Sequence, residues 1–259
     1  MKKDKLTLLN EYLSNLGKVA IAYSGGIDSL FLLNRAEEVL GSDNVLAIIA
    51  HSVLFDPYEF EEAISYLKNN KISYDIVTFN PLDDEEISTN SKNRCYKCKR
   101  MMMNKMVARA KLNQIPYVLD GQNYDDSLSQ NRPGMRAVKE LDILSPLMEL
   151  GFRKKEIIEL AKNVGITQYD KPSNTCLATR FPYGTKLDVN QMKKVAEAER
   201  LLKEAGVCFV RARCEDGTLR IETLKKYFSK IVQDEDLLRN LKELNFEKVT
   251  LDLNGYHSY

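Results

Sequence analysis

The stretch that decides the fold is Lys18-Val-Ala-Ile-Ala-Tyr23-Ser24-Gly25-Gly26-Ile27-Asp28-Ser29. A short β-prone run comes first, then a serine and two glycines, and from Asp28 onward apolar residues recur at helical spacing. The glycines let the backbone turn tightly and present consecutive N–H groups, and the helix that follows adds its positive end. Because both features stabilise an anion, the stretch predicts a strand, a phosphate-binding loop and a helix.

The side chains of the loop favour a nucleotide phosphate. Ser24 and Ser29 can donate hydroxyl hydrogen bonds, and Asp28 is placed to cap the helix or to approach Mg²⁺. No lysine follows the glycines, so the loop differs from the Walker pattern that holds β and γ phosphates. A plain strand-to-helix turn capped by Asp28 or Ser29 is the alternative, but the whole pattern after a buried strand favours phosphate binding.

Strands and helices alternate outward from this loop. We predict helices over Lys5–Leu16 and Tyr58–Asn69, and further strands over Asn44–Ala50, Ser73–Thr78 and Ile115–Leu119. This alternation predicts an α/β fold with a parallel, doubly wound sheet covered on both faces. Ligands of such sheets bind at the carboxyl ends of the strands. The residues just past strand ends should therefore line one crevice: Ser24, His51 and Asp120.

The pattern changes after Pro146. A helix over Lys154–Val164 and an irregular segment over Ile166–Lys186 precede a small α+β unit of order αββαβ. Its predicted elements are Val189–Ala205, Val207–Arg213, Leu219–Glu222, Leu224–Leu244 and Lys248–Leu253. With a boundary near Thr185, we predict an ATP-binding domain over residues 1–184 and a substrate-binding or oligomerisation domain over 185–259.

Composition narrows the class of partner. The 259 residues carry 38 Lys and Arg against 37 Asp and Glu, which weighs against the broad basic surface of a protein that holds nucleic acid stably. The chain starts without the apolar core of a signal peptide, and no run approaches the roughly twenty apolar residues of a membrane span. We therefore expect a cytoplasmic protein without a membrane partner, in which cysteines bind metal, react or are buried rather than form disulfides.

Three cysteines suggest a metal site. Cys95 and Cys98 are spaced so that both thiols can reach one metal, and four neighbouring cations favour thiolate. Cys176 lies far along the chain in a polar loop, and three thiolates suit an iron–sulfur cluster with one iron open. A redox pair, or a zinc site shared with Cys208 and Cys214, is the alternative, although we expect those last two to be core residues.

The loop closely resembles that of the PP-loop superfamily, whose members cleave ATP between the α and β phosphates to adenylate an oxygen of the substrate. The rest of the chain resembles one member of that superfamily, the LarE family, from about residue 5 to the end. The motifs that carry this resemblance include Ala22-Tyr-Ser-Gly-Gly-Ile-Asp-Ser29, Leu119-Asp-Gly121, Arg132-Pro-Gly134, Arg180-Phe-Pro-Tyr-Gly-Thr185, Val210-Arg-Ala-Arg213 and Thr250-Leu-Asp-Leu-Asn-Gly255.

The resemblance implies an ATP-dependent sulfur transferase that converts pyridinium-3,5-biscarboxylic acid mononucleotide to its bis-thiocarboxylic form for nickel-pincer nucleotide assembly. It implies ATP and Mg²⁺ at Ser24, Gly25, Gly26, Asp28, Ser29, His51, Asp120 and Gly121. It implies a [4Fe-4S] cluster on Cys95, Cys98 and Cys176, catalytic roles for Cys176, Lys99 and Arg180, and substrate binding by Arg180, Glu199, Arg211 and Arg213. A homo-oligomer, a hexamer in the family, is implied as well.

Other functions stay open at this point. In a second branch of the family a single cysteine gives up its sulfur and becomes dehydroalanine, and in this chain that cysteine would be Cys176. A tRNA thiolation enzyme of the same superfamily also combines a phosphate loop with paired cysteines, but the neutral charge counts against it. A regulatory nucleotide-binding module without catalysis would not need the cation-flanked Cys95 and Cys98. Arg211 and Arg213, two apart on a predicted strand, share one face whether they bind substrate or are solvated surface charges.

Overall fold

Helices and strands are described here for residues 4–128, 133–166 and 175–256 of a computed structural model. The strands β1 to β7 are Val19–Tyr23, Val45–His51, Tyr74–Thr78, Tyr117–Asp120, Val210–Glu215, Thr218–Thr223 and Lys248–Leu251. The helices α1 to α12 are Lys5–Leu16, Ile27–Leu40, Pro57–Asn69, Glu85–Ser88, Arg94–Leu112, Tyr124–Ser127, Pro133–Glu140, Pro146–Glu149, Lys154–Asn163, Val189–Glu204, Phe228–Gln233 and Glu235–Glu243.

The first four strands form a parallel sheet in the order β3-β2-β1-β4. Every residue of β1 is buried, and because successive side chains of a strand point to opposite faces, both faces of the sheet are covered. Helix α2 packs against β1 and β2, and helix α5 packs against β2, β3 and β4. The predicted α/β fold with a parallel, doubly wound sheet is confirmed.

The strand order reverses beside β1. The chain passes from β1 to β2 and β3 on one side and then places β4 on the other side of β1. In open α/β sheets such a reversal leaves a crevice at the carboxyl ends of the two strands. Ser24 directly follows β1, and Gly121 directly follows β4, so two predicted site segments lie together at this reversal.

A small α+β unit follows near the C-terminus, as predicted, and its three strands form a mixed sheet. Strand β5 pairs antiparallel with β6, β6 pairs parallel with β7, and helix α10 packs against β5. The single helix predicted over Leu224–Leu244 is wrong, because a 3-10 turn and the separate helices α11 and α12 occupy this stretch. Asp234 breaks it by accepting a hydrogen bond from the Leu237 amide at 2.9 Å, which starts α12 afresh.

The chain divides into two compact units. The first contains residues 1–52, 59–81 and 93–174, and the second contains 53–58, 82–92 and 175–259. The longest segment of the second unit thus begins ten residues before the boundary predicted near Thr185, and two earlier segments belong to the same unit. The functional division into 1–184 and 185–259 stays a prediction. Along the described ranges, no helix is both long and apolar enough to cross a membrane.

Candidate functional site

The phosphate loop is held in shape by its own hydroxyl groups. The Ser29 hydroxyl donates to the Gly26 carbonyl at 3.0 Å and accepts from the Ser24 amide at 3.2 Å, and the two hydroxyls lie 3.1 Å apart. Gly25 has a φ of +77°, a left-handed conformation that favours glycine, and a Cβ there would lie 2.9 Å from that of Ala63. Gly26 is the N-cap of α2, so no capping side chain stands between the first helical amides and a ligand.

Gly121 brings the end of β4 into close contact with the loop. A Cβ at this position would lie 2.7 Å from the Ser29 amide nitrogen and 2.8 Å from the Ser29 Cα. Both are backbone atoms, so no side-chain rotation relieves the clash. Gly121 is therefore required for the close approach of the two segments rather than for a turn.

Substitution of this glycine should loosen the loop. We expect Gly121→Ala to lower the affinity for MgATP about tenfold or more, because overpacking against backbone typically costs about 1–3 kcal/mol. Isothermal titration with a non-hydrolysable ATP analogue measures this affinity. Gly151→Ala is the control, since its φ of +74° strains alanine while no atom of the described residues lies within 4 Å of the new Cβ. Equal affinities in the two variants would contradict the steric role of Gly121.

Asp120, at the end of β4, is 2% exposed and tightly held. It accepts hydrogen bonds from the hydroxyl of Ser145 at 2.7 Å and from the side-chain amide of Gln122 at 2.7 Å. The Lys99 ammonium lies 4.0 Å from Asp120 Oδ2. Burial lowers the pKa of Lys99, and the negative charge of Asp120 opposes that shift. The structure thus brings a predicted catalytic cation beside the predicted nucleotide-binding carboxylate.

Asp28 forms an ion pair that the sequence did not indicate. The Lys154 ammonium, from the start of α9, donates to Asp28 Oδ2 at 2.7 Å. Burial raises the pKa of Asp28, and the hydrogen bond and charge of Lys154 oppose that rise. The second oxygen, Oδ1, is buried without a hydrogen-bond donor in bonding geometry among the residues that the structure describes. An oxygen of this kind fits a Mg²⁺ ion, which prefers carboxylate ligands.

His51 lies at the carboxyl end of β2, as expected. Its side chain is exposed, and its ring packs on Phe60 with centroids 4.6 Å apart. Ser52, the next residue, is 4% exposed. An exposed ring backed by an aromatic side chain presents a flat face to a ligand such as adenine. The adenine contact itself stays a prediction.

Cys95 and Cys98 lie in the first five residues of α5. They are three residues apart on a helix, so their side chains project from the same face. Cys95 is exposed and Cys98 is half-buried. Of the two cysteines expected in the core, Cys214 on β5 is buried, but the expectation is wrong for Cys208, which precedes β5 and is exposed.

Cys176 lies in the second unit, at the start of a short 3-10 turn. The Arg180 guanidinium donates to the carbonyls of Cys176 at 3.3 Å and of Thr175 at 3.1 Å. It also makes a two-pronged ion pair with Glu199, at 2.8 and 3.0 Å, and both side chains are buried, at 3% and 0% exposed. Glu199 in turn accepts from the Ala212 amide at 3.0 Å. The two residues link β5 to the Cys176 turn.

Arg213 belongs to the same network. Its guanidinium donates to Glu222 at 2.8 Å and to the Thr179 carbonyl at 2.8 Å, and a fifth of the side chain stays exposed. Arg211 is 6% exposed, with its guanidinium 5.8 Å from the centre of the Tyr256 ring. Because Arg211 is buried, the alternative interpretation of this residue as a solvated surface charge is wrong.

The candidate residues thus form two groups, one in each unit. The first unit brings together the loop, Asp28, Lys99, Asp120 and Gly121, and the second brings together Cys176, Arg180, Glu199 and Arg213. Sequence reasoning missed Lys154, Ser145 and Asn90 as partners of these groups, because each is remote in sequence from the group it contacts. Arg132, from one of the motifs quoted above, and residues 167–174, from the predicted irregular segment, lie outside the described residues.

A parallel sheet with a Ser-Gly-Gly-x-Asp-Ser loop at its strand-order reversal defines an α/β nucleotide-binding protein of the PP-loop class. A family model described as "Thiamine biosynthesis protein (ThiI)" matches residues 15–201.

Three relatives are similar over nearly their whole length. A pyridinium-3,5-bisthiocarboxylic acid mononucleotide synthase of Lactiplantibacillus plantarum is 35% identical, covering 95% of this chain and 89% of its own. Uncharacterised proteins of Synechocystis sp. and Methanocaldococcus jannaschii are 36% and 32% identical, covering 100% and 93% of this chain and 97% and 92% of theirs. The chain belongs to the LarE family of ATP-dependent sulfur transferases within the PP-loop superfamily.

Proposed function

We propose that this chain uses ATP to adenylate the carboxylates of pyridinium-3,5-biscarboxylic acid mononucleotide and then replaces AMP by sulfur. The observation that carries the proposal is the 35% identity, over 95% of the chain, to the named bisthiocarboxylic acid mononucleotide synthase. Two groups of residues suited to the two half-reactions support it. One surrounds the phosphate loop, and the other surrounds Cys176.

The first half-reaction is an in-line displacement. A substrate carboxylate oxygen attacks the α phosphorus, the bond to the β-phosphate oxygen breaks, and pyrophosphate leaves. The amides of the loop and of α2 orient the phosphates, and the Lys99 ammonium neutralises charge on the α phosphate. Asp28, whose Oδ1 is buried, would hold a Mg²⁺ ion, which would neutralise further phosphate charge. Asp120, together with Ser145, holds Lys99 and the end of β4 in place.

The second half-reaction needs a sulfur nucleophile at the activated acyl group. In the sacrificial route the Cys176 thiolate attacks the acyl carbon and AMP leaves, giving a thioester. Loss of the Cα proton then breaks the Cβ–S bond, which leaves sulfur on the product and dehydroalanine in the chain. The buried Arg211 and the partly exposed Arg213 are the proposed cations for the substrate phosphate.

The donor set also fits an iron–sulfur cluster in its chemistry. The five cysteines all fall within the described ranges and form no disulfide, and Cys95, Cys98 and Cys176 all retain exposed surface. No three His, Cys, Asp or Glu side chains are grouped as metal ligands within those ranges. We propose that these three cysteines hold a [4Fe-4S] cluster, which when bound would supply inorganic sulfide as the nucleophile.

Metal analysis after anaerobic purification tests the cluster. We expect iron and acid-labile sulfide in the native chain and loss of most of the iron in Cys95→Ser. Cys208→Ser is the matched control, because it also removes an exposed thiol, and it should keep the full iron content. Iron-free protein whose Cys176 loses the mass of H₂S during one turnover would instead establish the sacrificial route. Stoichiometric zinc would overturn the cluster.

Turnover assays test the substrate. Pyrophosphate, AMP and a thiocarboxylate product are expected with the pyridinium mononucleotide, and none with tRNA. Thiolated tRNA in the same assay would favour the tRNA enzyme instead. A chain that binds ATP but releases pyrophosphate with neither substrate would be a regulatory module. The oligomeric state, for which we propose a homo-hexamer, is measured by light scattering.

A further inference from the structure

The turn that carries Cys176 is held from several sides by one buried side chain. Asn90 is fully buried, and its amide nitrogen donates to three backbone carbonyls, one in this turn and two in the residues that directly follow it. The acceptors are Pro182 at 2.7 Å, Phe181 at 3.1 Å and Ala178 at 3.3 Å. All belong to the second unit. The side-chain amide of Asn90 thus holds the backbone at Ala178, Phe181 and Pro182, shortly after Cys176.

The backbone around Asn90 reinforces the same contact. Asn90 has a φ of +53°, in the left-handed region that asparagine tolerates better than most residues. Its carbonyl accepts from the Gly184 amide at 3.2 Å, and the nearby Ser88 carbonyl accepts from the Leu187 amide at 2.7 Å. Asn90 Oδ1 has no hydrogen-bond donor among the described residues, so the side-chain hydrogen bonds that orient Asn90 there are those of its amide nitrogen.

Other groups restrain the turn at Cys176 itself. The Cys176 carbonyl accepts from the Thr179 amide at 3.0 Å, from the Thr179 hydroxyl at 2.8 Å and from Arg180. The Leu177 amide donates to the Leu54 carbonyl at 2.8 Å. Leu177 is therefore held by backbone and Thr175 by the Arg180 guanidinium, while the Cys176 thiol stays half-exposed. This arrangement holds the Cα and Cβ of Cys176 still and leaves the sulfur accessible.

We infer that Asn90 is a positioning residue for Cys176, acting through these three carbonyls to hold the sulfur where an activated acyl group can meet it. The catalytic benefit of this restraint rests on the proposed function, but the restraint of the thiol itself is measurable without any substrate. Since a misplacement of about 1 Å can cost about a hundredfold in rate, a side chain that does not touch the substrate can still affect turnover.

Asn90→Gly is the sharpest test, because glycine keeps the left-handed φ while removing the side chain that carries the amide. Asn245→Gly is the matched control, since Asn245 has a φ of +55°, is exposed and lies in the same unit. Arg180 variants are less informative, because they would leave the buried Glu199 without its cation. Thr179→Val, which keeps the shape and loses the hydroxyl, is a second variant in case Asn90→Gly melts too low to assay.

The measurement is the rate of Cys176 alkylation by iodoacetamide at one pH, followed by peptide mass spectrometry after any iron has been removed by a chelator. The exposed Cys208 of the same unit is the internal reference. We expect the ratio of Cys176 to Cys208 alkylation to rise about threefold or more in Asn90→Gly, less in Thr179→Val, and not at all in Asn245→Gly, because local restraint sets exposure of a half-buried thiol.

Kinetics provide the second readout. In Asn90→Gly we expect kcat for product formation to fall about tenfold with the KM for ATP unchanged, because only the sulfur is misplaced. An unchanged alkylation ratio in a folded Asn90→Gly would overturn the inference, as would an equal rise in Asn245→Gly. If the native chain made no thiocarboxylate while the ratio still rose, the proposed substrate would be wrong and the positioning role would stand.

Discussion

Cys176→Ser should form no thiocarboxylate while still exchanging pyrophosphate into ATP when the pyridinium mononucleotide is present. The residues proposed for adenylation lie in the first unit, and Cys176 lies in the second. Both proposed routes for sulfur need the Cys176 thiol, so the hydroxyl should lower product formation about a thousandfold or more, as for loss of a residue that acts directly in the chemistry. Pyrophosphate exchange should stay near the native rate.

Two serine variants of other cysteines control for general damage. Cys208→Ser changes an exposed thiol and Cys214→Ser a buried one in the same unit as Cys176. Cys208→Ser should keep both activities, and Cys214→Ser should lose stability rather than the ratio between the two activities. Thiocarboxylate formation by Cys176→Ser at the native rate would exclude Cys176 as sulfur donor and as an essential ligand.

Local patterns were sufficient to predict the loop and the sheet. The strand, the two glycines and the helix of the phosphate loop are adjacent in sequence, and each buried strand is marked by its own apolar run. Because the carboxyl ends of parallel strands share one edge, Ser24 and Asp120 could be expected at the same edge of the sheet. The strand order that puts β4 directly beside β1, and so brings Ser24 and Gly121 together, was not predicted. Their close packing, with Gly121 against Ser29, is an atomic contact that no pattern encodes.

Helix α5 was not predicted, although it carries Cys95 and Cys98. Three of its five buried residues, Met103, Met106 and Ala110, do recur at helical spacing. Lysines and arginines crowd the same stretch, so its mean hydropathy hides the apolar stripe. The break at Asp234 was missed because an acidic residue is common within a helix. Only the structure shows that the Asp234 carboxylate accepts from the Leu237 amide and so caps a new helix.

The partners of the site residues could not be read from the sequence. Lys154 lies 126 positions from Asp28, and Asn90 lies 92 positions from Pro182. A lysine that starts one helix and an asparagine in a loop are usually surface residues, and only the tertiary fold brings them to their acceptors. The types of chemistry were therefore predictable, whereas the residues that orient them were not.

Asp28→Asn should lower the rate of Mg²⁺-dependent pyrophosphate exchange about a hundredfold, because it removes the charged oxygen proposed to hold the ion. The change should not destabilise the nucleotide-free protein at neutral pH. Burial raises the pKa of Asp28 above its ordinary value of 3.8, so the ionised carboxylate disfavours folding above that raised pKa. Asparagine removes this penalty, and Lys154, with 43% of its side chain exposed, can return to water.

The pH dependence of activity and stability distinguishes a specific effect at the Asp28 carboxylate from general damage to the fold. As the pH falls through the raised pKa, native Asp28 takes up a proton, so exchange activity should decline at a pH above 3.8 and the stability advantage of the variant should vanish. Thermal melts at pH 7 and pH 4, alongside exchange rates over that range, measure both effects. Asp43→Asn makes the same change of charge at an exposed position and should alter neither. A lower Tm for Asp28→Asn than for Asp43→Asn at pH 7 would mean that the ion pair with Lys154 stabilises the fold more than burial of the carboxylate opposes it.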